Sequence, residues 1–120
     1  MSVEKLQKLR DYFQKIADFN KGAEAGGCWR NAVRHQGALT ALKTIDEARD
    51  AVALDNTEKA TALLQGMKQN FDQQSGLHMQ RFRTDMKAGV INTIENFRGC
   101  EYNEYATKVG EALASLQGPN

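Results

Sequence analysis

Large apolar residues recur every three or four positions along most of the chain, which is the spacing of one buried helix face. Leu6, Leu9, Phe13 and Ile16 form the first such stripe. No run of alternating β-branched residues and no Asn-Gly or Asp-Gly hairpin signal indicates a strand, and the one proline is Pro119. The pattern therefore predicts an all-α protein.

Glycines and capping residues divide this pattern into a compact bundle of four to five helices. Asn56 is one of several candidate N-caps before the third helix, and Gly99 is a predicted C-terminal stop for the fourth. The predicted helices span about 3–20, 28–54, 57–74, 77–98 and 102–117.

The boundary between the third and fourth helices is open at this stage. The apolar stripe keeps its phase from Phe71 through Met79 to Phe97, which would suit one long bent helix over 57–98. A glycine costs about 1 kcal/mol inside a helix, so a turn at Ser75-Gly76 would instead give two helices. We expect the turn, with the single long helix as the alternative.

Length and charge exclude several classes of protein. A chain of 120 residues predicts one helical domain over 1–120, and a net charge of +1 provides no global attraction to nucleic acid or anionic membranes. No apolar run is long enough to span a membrane, and Met1–Lys5 does not resemble a secretory signal. We therefore expect a cytoplasmic location and free thiols at Cys28 and Cys100. Large aliphatic residues are few, so the core should be thin and a homo-oligomer is expected.

Catalytic and metal motifs are absent from the sequence. His35 and His78 have no carboxylate or cysteine three or four residues away, and no phosphate loop or nucleophile elbow occurs. We therefore expect no metal, no cofactor, no catalytic residue and no enzymatic activity. An enzyme would need a pocket that joins Cys28 or a histidine to a carboxylate from another helix.

The start of the second helix is the first candidate binding site. Gly27 lies at a helix N-terminus, where free N–H groups favour anions, and Arg30 and Arg34 stand one turn apart after it. Lys21 precedes this loop. These residues could bind a small anion, a nucleotide or an acidic segment of a partner. Alternatively, Trp29 anchors the helix while both arginines are solvated.

A basic-aromatic stretch in the fourth predicted helix is the second candidate. Arg81, Arg83 and Lys87 surround Phe82, and such a mixture can bind nucleic acid. At helical spacing Phe82 shares the apolar stripe, so a core residue with a solvated basic rim is the simpler interpretation. Nucleic acid is therefore a possible partner but not the favoured one.

Small residues in the second helix predict a close helix contact. Gly37 weakens a helix for no local benefit, and Ala41 follows it one turn later. Both would let another helix approach, either within the chain or between two protomers.

Taken together, these features favour a non-enzymatic helical protein that docks onto another protein as a regulator, inhibitor or adaptor. The alternatives are a binder of a small anionic ligand at the second helix and a helical nucleic-acid-binding domain. The structural feature expected of a docking protein is an exposed apolar patch.

Overall fold

The computed structural model describes residues 3–21 and 29–117, which are helical apart from short connections and contain no strand. The all-α prediction is confirmed, and the four helices pack together. They are α1 (Val3–Phe19), α2 (Trp29–Ala53), α3 (Thr57–Lys87) and α4 (Thr93–Gln117). No helix in these ranges is long and apolar enough to cross a membrane.

The core lies where all four helices meet. α3 and α4 form the most extensive helix pair, α1 packs mainly on α2, and α2 also packs on α3. The largest fully buried side chains come from every helix: Leu6, Phe13, Ile45, Leu64, Tyr105 and Val109. Each such side chain stabilises the fold by roughly 1.5–3 kcal/mol when it leaves water.

An aromatic cluster occupies the centre of this core. The ring centroids of Phe13, Phe71 and Tyr105 lie 5.5–6.4 Å apart. Gly37 makes room for the cluster, because a Cβ there would lie 2.7 Å from Cε2 of Tyr105. Ala41 is fully buried one turn further along α2. The close contact at Gly37 is therefore made within one chain.

α3 runs through Ser75 and Gly76 without a break, so the predicted turn at these residues is wrong. A Cβ at Gly76 would meet no atom within 4 Å, so this glycine lies on an open face and lowers only helix propensity. On the opposite face Phe71 and His78 are buried, and their packing holds the helix through the glycine.

The chain turns instead between Lys87 and Thr93, so the alternative of one helix over 57–98 is also wrong. Gly89 has φ +85°, and Val90 N–H donates to the Asp85 carbonyl at 2.8 Å. This left-handed glycine ends α3 in the usual way. The side chain of Asn92 then accepts a hydrogen bond from the Glu95 N–H at 3.3 Å, so α4 begins after an N-cap.

Gly99, the predicted helix stop, lies inside α4, which therefore begins at Thr93 rather than near 102. Here α3 and α4 approach closely, because a Cβ on Gly99 would lie 2.6 Å from Cγ of Met79. The Ser75 hydroxyl also donates to the Gly99 carbonyl at 2.8 Å. Gly99 therefore permits a close contact between two helices. The sequence alone did not distinguish this role from that of a residue that ends a helix.

Candidate functional site

The distal part of the α3–α4 hairpin differs from the rest of the molecule in its burial. We call residues 77–98 the hairpin tip. Of these residues only His78 is buried, and the tip contributes no apolar side chain to the core. Its exposed side chains are therefore available for contacts outside the described chain.

Several large apolar side chains of the tip are exposed to solvent. Single exposed apolar residues are ordinary on protein surfaces, whereas a group of them on one element is not. The exposed fractions are 40% for Leu77, 51% for Met86, 55% for Val90, 77% for Ile91 and 42% for Ile94.

The exposed charge of the hairpin tip is positive. Arg81, Arg83 and Lys87, the predicted basic group, are all exposed on it. Its two carboxylates are half-buried and already engaged. Asp85 accepts a hydrogen bond from Asn92 Nδ2 at 3.0 Å, and Glu95 faces His78.

The contact between His78 and Glu95 was not found from the sequence. His78 Nδ1 lies 2.5 Å from Glu95 Oε2, and the two side chains are only 9% and 14% exposed. The imidazole ring also stacks on Tyr102, with ring centroids 5.7 Å apart. A search within single helices could not pair them, because Glu95 belongs to α4. The one available signal was that His78 continues the buried stripe of Phe71.

His78 lines a cavity of about 420 Å³ between α2, α3 and α4, whereas Glu95 does not. The described residues that line the cavity supply no serine, cysteine or carboxylate nucleophile. They are Trp29, Ala32, Val33, Gln36, His78, Ile94, Arg98 and Tyr102.

The arginines of the predicted anion site converge on an aromatic ring. Arg30 Cζ lies 4.9 Å from the Trp29 ring centroid and 5.9 Å from that of Phe97, and Arg34 Cζ lies 5.1 Å from that of Phe97. Arg34 Nε also faces a Glu101 carboxylate oxygen at 3.4 Å. Both cations are therefore stacked on aromatic faces of α2 and α4.

Of the remaining residues of that predicted site, Lys21 alone falls within the described ranges. Lys21 is exposed just after α1, whereas Gly27 and Cys28 lie outside the described residues. Cys100 is an exposed free thiol. Within residues 3–21 and 29–117, no three His, Cys, Asp or Glu side chains are placed to hold a metal ion.

None of the known protein families, curated proteins or solved structures matches this chain. Its function is therefore inferred from the geometry and charge of the described residues.

Proposed function

We propose that this chain is a non-enzymatic docking protein that binds an acidic protein partner through the hairpin tip. The observation that carries the proposal is the group of exposed apolar side chains on the tip, bordered by the exposed cations Arg81, Arg83 and Lys87. The identity of the protein that the tip binds would decide whether this chain acts as a regulator, an inhibitor or an adaptor.

The apolar side chains provide the affinity. Ile91 is 77% exposed and Val90 is 55% exposed, so both keep most of their apolar surface in water. Taking one such aliphatic side chain fully out of water is worth roughly 1.5 kcal/mol or more. A partner with an apolar groove that covers this end of the hairpin would gain that free energy several times over.

The cations select the partner. Positive side chains beside an apolar surface attract an acidic partner and raise the rate of association. A second copy of the chain would bring the same cations to a tip-to-tip contact, so that contact is disfavoured. Homo-oligomerisation through another face stays a prediction, which light scattering of the free protein measures.

Two alternatives explain less of this surface. A phosphate backbone would satisfy Arg81, Arg83 and Lys87 but would leave the aliphatic side chains uncovered. A small anion at the start of α2 would likewise leave the exposed aliphatic side chains of the tip uncovered.

The test is quantitative capture of proteins from a lysate of the native host, with and without nuclease. The baits are the wild type, Ile91→Asp, the double variant Arg81→Gln/Arg83→Gln, and Leu54→Asp. Leu54 is the matched control, because it is 81% exposed but lies outside the hairpin tip.

We expect an acidic protein that wild type and Leu54→Asp capture equally and that Ile91→Asp captures at least tenfold less, a change of about 1.4 kcal/mol. The double variant should capture less of this protein, and its remaining capture should depend less on salt. Capture that disappears with nuclease would support the nucleic-acid alternative instead. Equal capture by Ile91→Asp and Leu54→Asp would refute docking through the tip.

A further inference from the structure

A second cavity, of about 450 Å³, lies between α1, α2 and α4, away from the hairpin tip. Its volume is within the range of about 300–1,000 Å³ that is common for small-molecule sites. The described residues that line it are Tyr12, Lys15, Ile16, Phe19, Asn20, Arg34, Glu101, Glu104 and Tyr105.

Two side chains on this cavity are buried and incompletely hydrogen-bonded. Asn20 is 4% exposed and Tyr105 is 1% exposed. The Asn20 amide nitrogen donates to the Ile16 carbonyl at 2.7 Å, which leaves Oδ1 as the free acceptor. Neither Asn20 Oδ1 nor the Tyr105 hydroxyl makes a hydrogen bond of good geometry with a described residue, and the Tyr105 hydroxyl faces the Glu101 carboxylate. Buried polar groups are almost always paired, so the free Asn20 acceptor and the weakly held Tyr105 hydroxyl favour a ligand that supplies better partners.

The charged groups around the cavity are balanced. Arg34 faces Glu101 at 3.4 Å, and Glu104 accepts a hydrogen bond from the Tyr12 hydroxyl at 3.2 Å. Lys15 is an exposed cation on the same wall. A purely anionic ligand would meet two carboxylates, and a purely cationic ligand would meet two cations.

The protonation of Tyr105 defines what it offers to a ligand. Burial, together with the nearby Glu101 carboxylate, holds the pKa of Tyr105 well above its usual range. The hydroxyl is therefore protonated at neutral pH and can donate a hydrogen bond to a ligand oxygen.

We propose that this cavity binds a zwitterionic small molecule of the free amino-acid type. Its ammonium group donates to Asn20 Oδ1 and lies near Glu104. Its carboxylate accepts from the Tyr105 hydroxyl and pairs with Arg34. An apolar side chain packs on Ile16 and on Phe19, which is 88% exposed. This site is independent of docking through the hairpin tip.

The first experiment is a thermal-shift screen of the wild type with each common L-amino acid at millimolar concentration. We expect an amino acid with an apolar side chain to raise Tm, because a ligand that binds only the folded state stabilises it. Calorimetry then compares that amino acid with its decarboxylated amine and with its deaminated acid, which keep the side chain but carry one charge. Both analogues should bind at least tenfold more weakly.

Tyr105→Phe removes only the hydroxyl oxygen, and it should weaken binding of the same amino acid about tenfold or more. The matched control is Tyr102→Phe, because Tyr102 borders the other cavity and should leave binding unchanged. Arg34→Gln, which removes the cation from the carboxylate end, should also weaken binding.

Any one of three results would overturn the proposal. The first is no shift in Tm with any amino acid. The second is a singly charged analogue that binds as tightly as the amino acid itself. The third is an equal effect of Tyr105→Phe and Tyr102→Phe on binding of the amino acid. Protein capture by the hairpin-tip variants does not test the ligand cavity. The docking proposal and the ligand proposal can therefore fail independently.

Discussion

The hairpin tip and the remainder of the described chain, which we call the body, use similar residues for different purposes. In the body, Phe13, Ile45 and Leu64 are fully buried, and apolar contacts join all four helices. In the tip, Val90 is 55% exposed although its spacing is that of a core stripe, and Ile91 beside it is 77% exposed. Apolar character therefore stabilises the body, whereas in the tip it remains available for a partner.

The two regions also differ in how their backbone is held. The tip depends on local polar contacts, including the Asp85–Asn92 hydrogen bond, the Asn92 cap on Glu95 and the His78–Glu95 pair. Such contacts are each worth about 1 kcal/mol, and a region with few buried apolar contacts opens more readily than a core. Substitutions in the body should therefore change stability, and substitutions in the tip should change binding.

The largest expected effect comes from a matched pair of isoleucines. Ile45→Ala should lower the free energy of unfolding by about 2–5 kcal/mol, because Ile45 is 0% exposed in the body. Ile91→Ala should lower it by less than about 0.5 kcal/mol, because Ile91 is 77% exposed in the tip. Urea denaturation of both variants measures the difference. Similar losses would remove the distinction between the two regions.

A smaller loss is expected where helices touch in the body. Gly37→Ala places a Cβ 2.7 Å from the Tyr105 ring, which Phe13 and Phe71 hold in place. Overpacking of this kind costs about 1–3 kcal/mol. Denaturation by urea provides the measurement, and an unchanged midpoint would show that the aromatic cluster can shift.

The pH dependence of the body should be visible at alkaline pH. Burial raises the pKa of Tyr105 in the folded chain, whereas in the unfolded chain it lies near 10. Above pH 10 the unfolded state therefore binds fewer protons, and stability falls as pH rises. At pH 11 this loss should be about 1.4 kcal/mol relative to pH 7. Tyr105→Phe should lose correspondingly less, and an identical loss in the variant would contradict the burial of this hydroxyl.

The smallest effect is a gain in stability at the border between the two regions. Gly76→Ala should stabilise the chain by about 0.5–1 kcal/mol, because Gly76 lies inside α3 with open space beside it. Thermal unfolding detects the increase. A decrease would indicate a real turn at this position, as the sequence pattern had predicted.

These glycines show why the sequence predicted the helices better than their boundaries. Gly76 faces open space, Gly89 adopts a positive φ, and Gly99 permits contact with Met79. Each is a lone glycine within an apolar pattern of period three to four, and only the folded backbone separates their roles. The bounds of α1 and α2 were predicted closely, and Gly37 inside α2 was correctly predicted to permit a close helix contact.

The candidate sites were predictable to different degrees for physical reasons. Arg81, Arg83 and Lys87 are close in sequence, so their location on one segment of a helix followed from the residue pattern. Exposure of Val90 and Ile94 did not, because their spacing is that of core residues. The pairing of His78 with Glu95 and the grouping of Asn20 with Tyr105 depend on tertiary packing, which the residue pattern does not specify.

The central claim is that the body supplies stability while the hairpin tip makes contact with a partner. Amide hydrogen exchange tests it most directly, measured on the free chain and on its complex with the captured protein. In the free chain, residues 77–98 should exchange faster than the helices of the body. Binding should slow exchange at residues 77–98 and leave the body unchanged. Protection that instead appears on α1 or α2, with the tip still exchanging freely, would contradict the claim.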